Sequence, residues 1–122
     1  MNGRIRTLLA FEAVTYVAAA LVHGGMIVTG YAHREARIAE SAIAVVLATG
    51  LATAWLRPAW TRRAALWSQG VALFWTLVGI TTIAVGVGPR TIPDVVYHIA
   101  IVGVLIYGLS LASQPLREGP RS

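Results

Sequence analysis

The chain has 122 residues, 57% of them hydrophobic and only 12% charged, and its formal net charge of +5 rests on ten arginines with no lysine. Soluble domains carry about 25% charged residues, so this composition points to a membrane protein, and arginines placed between apolar stretches and at the tails fit membrane topology better than nucleic-acid binding. With no cysteine in the chain, disulfides, thiolate metal sites and cysteine nucleophiles are excluded.

A short basic tail with Arg4 and Arg6 leads into an apolar stretch at about residues 7–29. At about 1.5 Å per residue it can cross a hydrocarbon core of about 30 Å. It has no small-residue cleavage site followed by a soluble chain, so it reads as a permanent helix. Glu12, Tyr16, Ala19 and His23 recur on one helical face, and Gly24-Gly25 reads as a place of close helix packing. The second span, about 36–56, places Glu40 about one turn inside, with the small residues Ala48, Gly50 and Ala52 open to a neighbouring helix. A turn containing Arg57, Pro58, Trp60, Arg62 and Arg63 follows, and Trp55, Trp60 and Trp67 form an aromatic belt at that interface. The third span, about 64–87, carries Gln69 and ends before Gly88-Pro89; Trp75 lies deeper and reads as packing. The fourth, about 92–113, opens on Thr91-Ile92-Pro93-Asp94, which has the form of a capping box with proline in the first turn. It sets Asp94 and His98 four residues apart on one face. Residues 114–122 read as a polar tail.

These features predict an all-α, single-domain integral membrane protein over residues 1–122: an up-down-up-down four-helix bundle. With both termini in the cytoplasm, of a bacterial plasma membrane, seven arginines (4, 6, 57, 62, 63, 117 and 121) lie inside against three (34, 37 and 90) outside, as the positive-inside rule favours. His23, Glu40, Asp94 and His98 then fall at similar height in the outer leaflet, with His33, Glu35 and Tyr97 beside them. Glu12 and Gln69 make a second polar step below. Ionisable groups inside a bilayer are costly and usually face a partner or a site. The candidate catalytic residues are therefore Glu12, His23, Glu40, Asp94 and His98.

Two imidazoles with carboxylates are a plausible shell for zinc, copper or non-haem iron, with His23, Glu40 and His98 as candidate ligands. The two histidines are also candidate axial ligands of a haem, and a histidine beside a carboxylate is a usable acid–base pair. Plainer readings stand beside these. Asp94 can be a helix-start acid alone, the histidines can be satisfied interior groups, Glu40 can pair with Arg37, and Glu12 can simply bond Tyr16 or Gln69.

Ala39-Glu40, the glycine-containing helix after them, Leu56-Arg57-Pro58 and Arg63-Ala64-Ala65-Leu66 together resemble the second and third helices of DoxX-like four-helix membrane proteins. The resemblance covers residues 39–79, and only Glu40 falls on a recurrent family position. It implies a small bundle of that family, some of whose members are linked to quinone and sulfur redox chemistry.

Three functions follow as expectations. The first is a membrane protein with a buried His/carboxylate site in the outer leaflet, handling a small apolar substrate or a metal by redox or acid–base chemistry. The second is a proton-coupled transporter acting as a homodimer, with Glu12 as coupling carboxylate. The third is a non-catalytic subunit of a larger membrane complex. The expected partners are the lipid bilayer, a small apolar ligand and another membrane subunit, not nucleic acid.

Overall fold

The apolar stretches fold as four helices in a computed structural model that describes residues 1–115; residues 116–122, which include most of the expected polar tail with Arg117 and Arg121, lie outside the described residues. The helices are α1 (Asn2–His23), α2 (Arg34–Leu56), α3 (Thr61–Ala84) and α4 (Ile92–Ser113), with a single 3₁₀ turn, Pro58–Trp60, between α2 and α3. There is no strand among the described residues. Each of the four is long and apolar enough to cross a membrane.

Two of the helices stop earlier than their hydrophobic runs. In α1 the apolar sequence continues to residue 29, but the helix ends at His23. Gly25 adopts φ +72°, its N–H donates to the Val22 carbonyl, and the Met26 N–H donates to the Leu21 carbonyl. These are the two paired bonds of a Schellman terminator, which needs a residue in the left-handed region that glycine enters without a Cβ penalty. The same device ends α3 at Ala84 rather than 87, with Gly86 at φ +88° and bonds from Gly86 to Ile83 and from Val87 to Thr82. The pair Gly24-Gly25 therefore terminates a helix. Packing contributes only at Gly24, where an added Cβ would lie 3.2 Å from the Arg37 side chain.

The N-termini of α2 and α4 are capped by side chains. His33 Nδ1 accepts from the Ala36 N–H, so α2 begins at Arg34, inside the segment expected to be a loop. At α4 the capping box forms as its sequence predicts: the Asp94 N–H donates to Thr91 Oγ1 and the Thr91 N–H to Asp94 Oδ2.

Arginines tie the opposite end. Arg6, in the first turns of α1, donates from Nε and Nη2 to the Ala54 carbonyl in the last turn of α2. Arg62, at the start of α3, donates to the Ala112 and Gln114 carbonyls at the end of α4. A cation on unpaired C-terminal carbonyls is favourable both as a hydrogen bond and against the helix dipole. These contacts also set α1 antiparallel to α2 and α3 antiparallel to α4. Between α2 and α3, Gly50 permits the close approach, since a Cβ there would collide with the Ser68 hydroxyl.

Ile5, Leu9, Tyr16, Ile43, Leu47, Ile101, Leu105 and Leu111 pack into one buried core. The outward faces are apolar as well, exposing Phe11, Val14, Val45, Phe74, Ile99 and Ile106. A helix that is apolar all round suits a lipid surround rather than water. Trp55, Trp60 and Trp67 are exposed near the Arg6 end, where Arg6 lies over the Trp55 ring and Arg63 over Trp60.

Candidate functional site

His23 is the last residue of α1, and the Schellman turn behind it lets the chain fold away and leave its ring between α2 and α4. The ring is buried and uses both nitrogens. Nδ1 lies 2.7 Å from Glu40 Oε2 and Nε2 lies 2.9 Å from Asp94 Oδ1. Facing a carboxylate from each nitrogen, the ring can donate both ways only as an imidazolium, and the two bonds link three helices at one point. The His23 carbonyl accepts from the His33 N–H at 2.9 Å, and the two imidazole rings meet edge to face at 6.5 Å. His33 thus belongs to the support of the site.

The two carboxylates differ in what they have left. Asp94 is fully engaged: Oδ1 takes His23, and Oδ2 takes the Thr91 N–H and the Thr91 hydroxyl. Its plain reading as a helix-start acid is true, and it holds His23 as well. Glu40 is 5% exposed, and its Oε2 takes His23 while its Oε1 has no hydrogen-bond partner. It does not pair with Arg37. A buried polar atom with no partner costs about 1–3 kcal/mol, and Glu40 Oε1 is the one carboxylate oxygen of the triad left open to a further partner.

Glu40 lines a cavity of about 300 Å³ enclosed by α2, α3, α4 and the α3–α4 loop. Tyr16, Thr76, Trp75, Gly79, Tyr97 and His98 line it too. The Tyr97 hydroxyl is also buried without a partner, and its ring stands edge-on to Tyr16 and to His98. His98 Nδ1 donates to the Asp94 carbonyl at 2.6 Å, which fixes the tautomer and leaves the Nε2 lone pair. Gly79 lies beside that nitrogen, and an added Cβ would meet it only in ordinary van der Waals contact at 3.7 Å. The cavity therefore offers a carboxylate oxygen, a phenol hydroxyl and an imidazole nitrogen on an otherwise apolar wall. Tyr97 also borders a second cavity of about 360 Å³ between α1 and α4, shared with His23 and Asp94.

Three of the four expected outer residues thus meet, with Asp94 in the place anticipated for His98. His98 lines the same cavity as Glu40 but does not bond His23. The proposed shell of His23, Glu40 and His98 is not assembled, because both nitrogens of His23 are already bound to carboxylates and the Nδ1 of His98 to a carbonyl. Among the described residues no three His, Asp or Glu groups are disposed to hold a metal ion. A haem iron would likewise have to displace the bonds that join α1, α2 and α4.

Glu12 is fully buried deeper in the bundle. Gln69 Nε2 lies 3.0 Å from each of its oxygens. Tyr16, the other expected partner, instead bonds Thr76 Oγ1 at 2.5 Å. Trp75, read from sequence as packing, is 53% exposed and stands at the cavity wall. Tyr97 was expected beside the cluster, though not as a site residue, and Trp75 carried no sequence signal, because an aromatic in an apolar helix looks like any other core or lipid-facing residue.

The chain matches no family model, no curated protein and no solved structure.

Proposed function

We propose that the chain is an integral membrane protein, an up-down-up-down bundle of DoxX-like layout with both termini in the cytoplasm. Its cavity beside Glu40 binds a small, mostly apolar molecule bearing a hydroxyl or similar hydrogen-bonding head, and the His23–Glu40–Asp94 triad exchanges a proton with that head. The observation that carries this reading is Glu40 Oε1, buried and unpartnered beside a cavity that also holds the unpartnered Tyr97 hydroxyl. A ligand hydroxyl donating to Glu40 and accepting from Tyr97 would satisfy both, while the apolar wall takes the rest of the molecule.

In chemical terms, Asp94 holds His23, His23 holds Glu40 Oε2, and Glu40 Oε1 accepts the proton of the ligand's head. His98 Nε2 is a second acceptor on the opposite wall. The His23 imidazolium stabilises the ionised Glu40 that precedes the transfer; once Glu40 holds the proton it is neutral, and the charge rests on the ligand's oxygen, which accepts from the Tyr97 hydroxyl until the proton returns.

The test uses 4-bromophenol, an apolar phenol and heavy-atom quencher, and a variant whose only tryptophan is Trp75, held in lipid nanodiscs. Saturable quenching is expected. Glu40→Gln should weaken it roughly tenfold, equivalent to ~1.4 kcal/mol, through loss of a charge-assisted bond. Equal affinity with and without the Gln substitution would remove Glu40 from the binding site.

A further inference from the structure

The Glu12–Gln69 pair has its own setting, separate from the triad. Eleven residues of α1 separate Glu12 from His23, a rise of about 16 Å. Glu12 is 0% exposed, and its one bonding partner is the Gln69 amide. No arginine or histidine bonds it among the described residues. On α4 the facing residue is Gly108, where a Cβ would collide with the Gln69 amide and lie 3.0 Å from Glu12 Oε1. The bundle thus makes room for this pair at the expense of a side chain on a neighbouring helix. An ionised carboxylate with one neutral amide for company is among the costliest groups to bury. A neutral carboxylic acid is not: its hydroxyl donates to an amide oxygen while the amide N–H donates back to its carbonyl. Gln69 Oε1 is buried and unpartnered, so it is free to take that hydroxyl after a small rotation.

Above and below Glu12 the surroundings differ. Toward the arginine end lie Ile5, Leu9 and Leu111, all buried and apolar; the buried hydroxyls there, Thr61 and Ser68, bond backbone carbonyls. Toward the triad, one turn up α1 and two turns up α3, is the Tyr16–Thr76 hydroxyl pair. Both residues line the cavity beside Glu40. Thr76 donates its own proton to the Ala72 carbonyl, so Tyr16 is the donor in the pair and its oxygen keeps a lone pair.

We infer that Glu12 is a proton-binding site inside the bundle, held as the acid against Gln69 and exchanging its proton only with the cavity, through Tyr16. The step balances. A proton from the cavity binds Tyr16 Oη as the hydroxyl proton leaves to the cavity in its place, and when the Glu12 carboxyl swings up one turn, Tyr16 passes the new proton to it and takes the Glu12 proton in return, with no net change of charge. The inference rests on the cavity of the proposed function and requires no ligand in it. Glu12 holds one proton that exchanges with the cavity and does not carry it across the membrane, because the apolar layer below offers no acceptor.

The experiment is infrared spectroscopy of the ligand-free full chain in nanodiscs. A carbonyl band of a protonated carboxylic acid is expected, absent in Glu12→Gln and moved in Glu12→Asp, a variant that keeps the acid if the Gln form does not fold. On transfer to deuterium oxide the band should shift, and Tyr16→Phe should slow that shift by about tenfold or more, as loss of a hydrogen-bonded relay does. A protein with no acid band assignable to Glu12 would overturn the proton site. Exchange at the same rate in Tyr16→Phe would overturn the route. Neither outcome depends on 4-bromophenol binding, so failure here and failure of the ligand reading are separable.

Discussion

Asp94 shows how much one side chain can be asked to do. It caps α4 through Thr91 and receives His23 from α1, so removing its charge should damage more than a cap. Asp94→Asn is expected to lose about 3 kcal/mol, the cost of breaking a buried ion pair, whereas Thr91→Ala should lose only about 1 kcal/mol, the value of a capping hydroxyl. Thermal unfolding in detergent compares the two; equal losses would mean that Asp94 serves the helix start alone. Glu40 differs because one of its oxygens is left without a partner. Sequence could place Asp94, His23 and Glu40 at one height, because depth follows from position within a span. It could not say which carboxylate would be used up, since that depends on rotamers and on Thr91 reaching the same oxygen as its own N–H. Nor could it separate His98 from His23. Both are single histidines near an outer helix end, and only the turn of each helix decides that one bridges α2 and α4 while the other bonds its own backbone.

At the scale of elements, both first helices of the two hairpins end in the same glycine-dependent turn, and each supplies from its start an arginine that clasps the end of the helix that follows. Gly25 at φ +72° has open space around it: a Cβ added there would find its nearest neighbour, the Ala32 methyl, at 3.9 Å. Gly25→Ala should therefore act through backbone strain alone and cost about 1 kcal/mol. Chemical denaturation in mixed micelles measures it, and a loss near zero would mean that the turn can close without the left-handed residue. The four helices and the capping box of α4 were legible because hydrophobic length and the Thr-Ile-Pro-Asp spacing are local signals. The true ends of α1 and α3 were not: Met26, Ile27 and Val28 keep the hydropathy high past the helix, and Gly24-Gly25 serves packing or termination with equal ease until the backbone angles are known.

For the whole molecule, the charges divide into two ends with an apolar belt between them. Arg4, Arg6, Arg57, Arg62 and Arg63 gather at the end where α1 and α3 begin, and Arg34, Arg37 and Arg90 at the other. Arg6 and Arg62 also clasp helix ends, so they would be present for packing whatever the orientation. Without them three arginines remain at each end, so the expectation of a cytoplasmic N-terminus rests on Arg117 and Arg121, which follow α4 in the sequence. Reporter domains fused before Met1 and after Ser122 should both report the cytoplasm; opposite locations would require an odd number of spans and end the bundle topology. In that orientation the triad and its cavity lie in the outer leaflet, and an apolar ligand would reach them from lipid or from the outer surface. The reading turns on one atom, Glu40 Oε1, and a reagent exists that seeks such atoms: phenacyl bromide, which partitions into lipid and alkylates ionised carboxylates it can reach. Peptide mass analysis after labelling in membranes should find the adduct on Glu40, absent from Asp94, and suppressed by 4-bromophenol. Labelling of Asp94 in preference to Glu40, or labelling of Glu40 that 4-bromophenol leaves unchanged, would contradict the account.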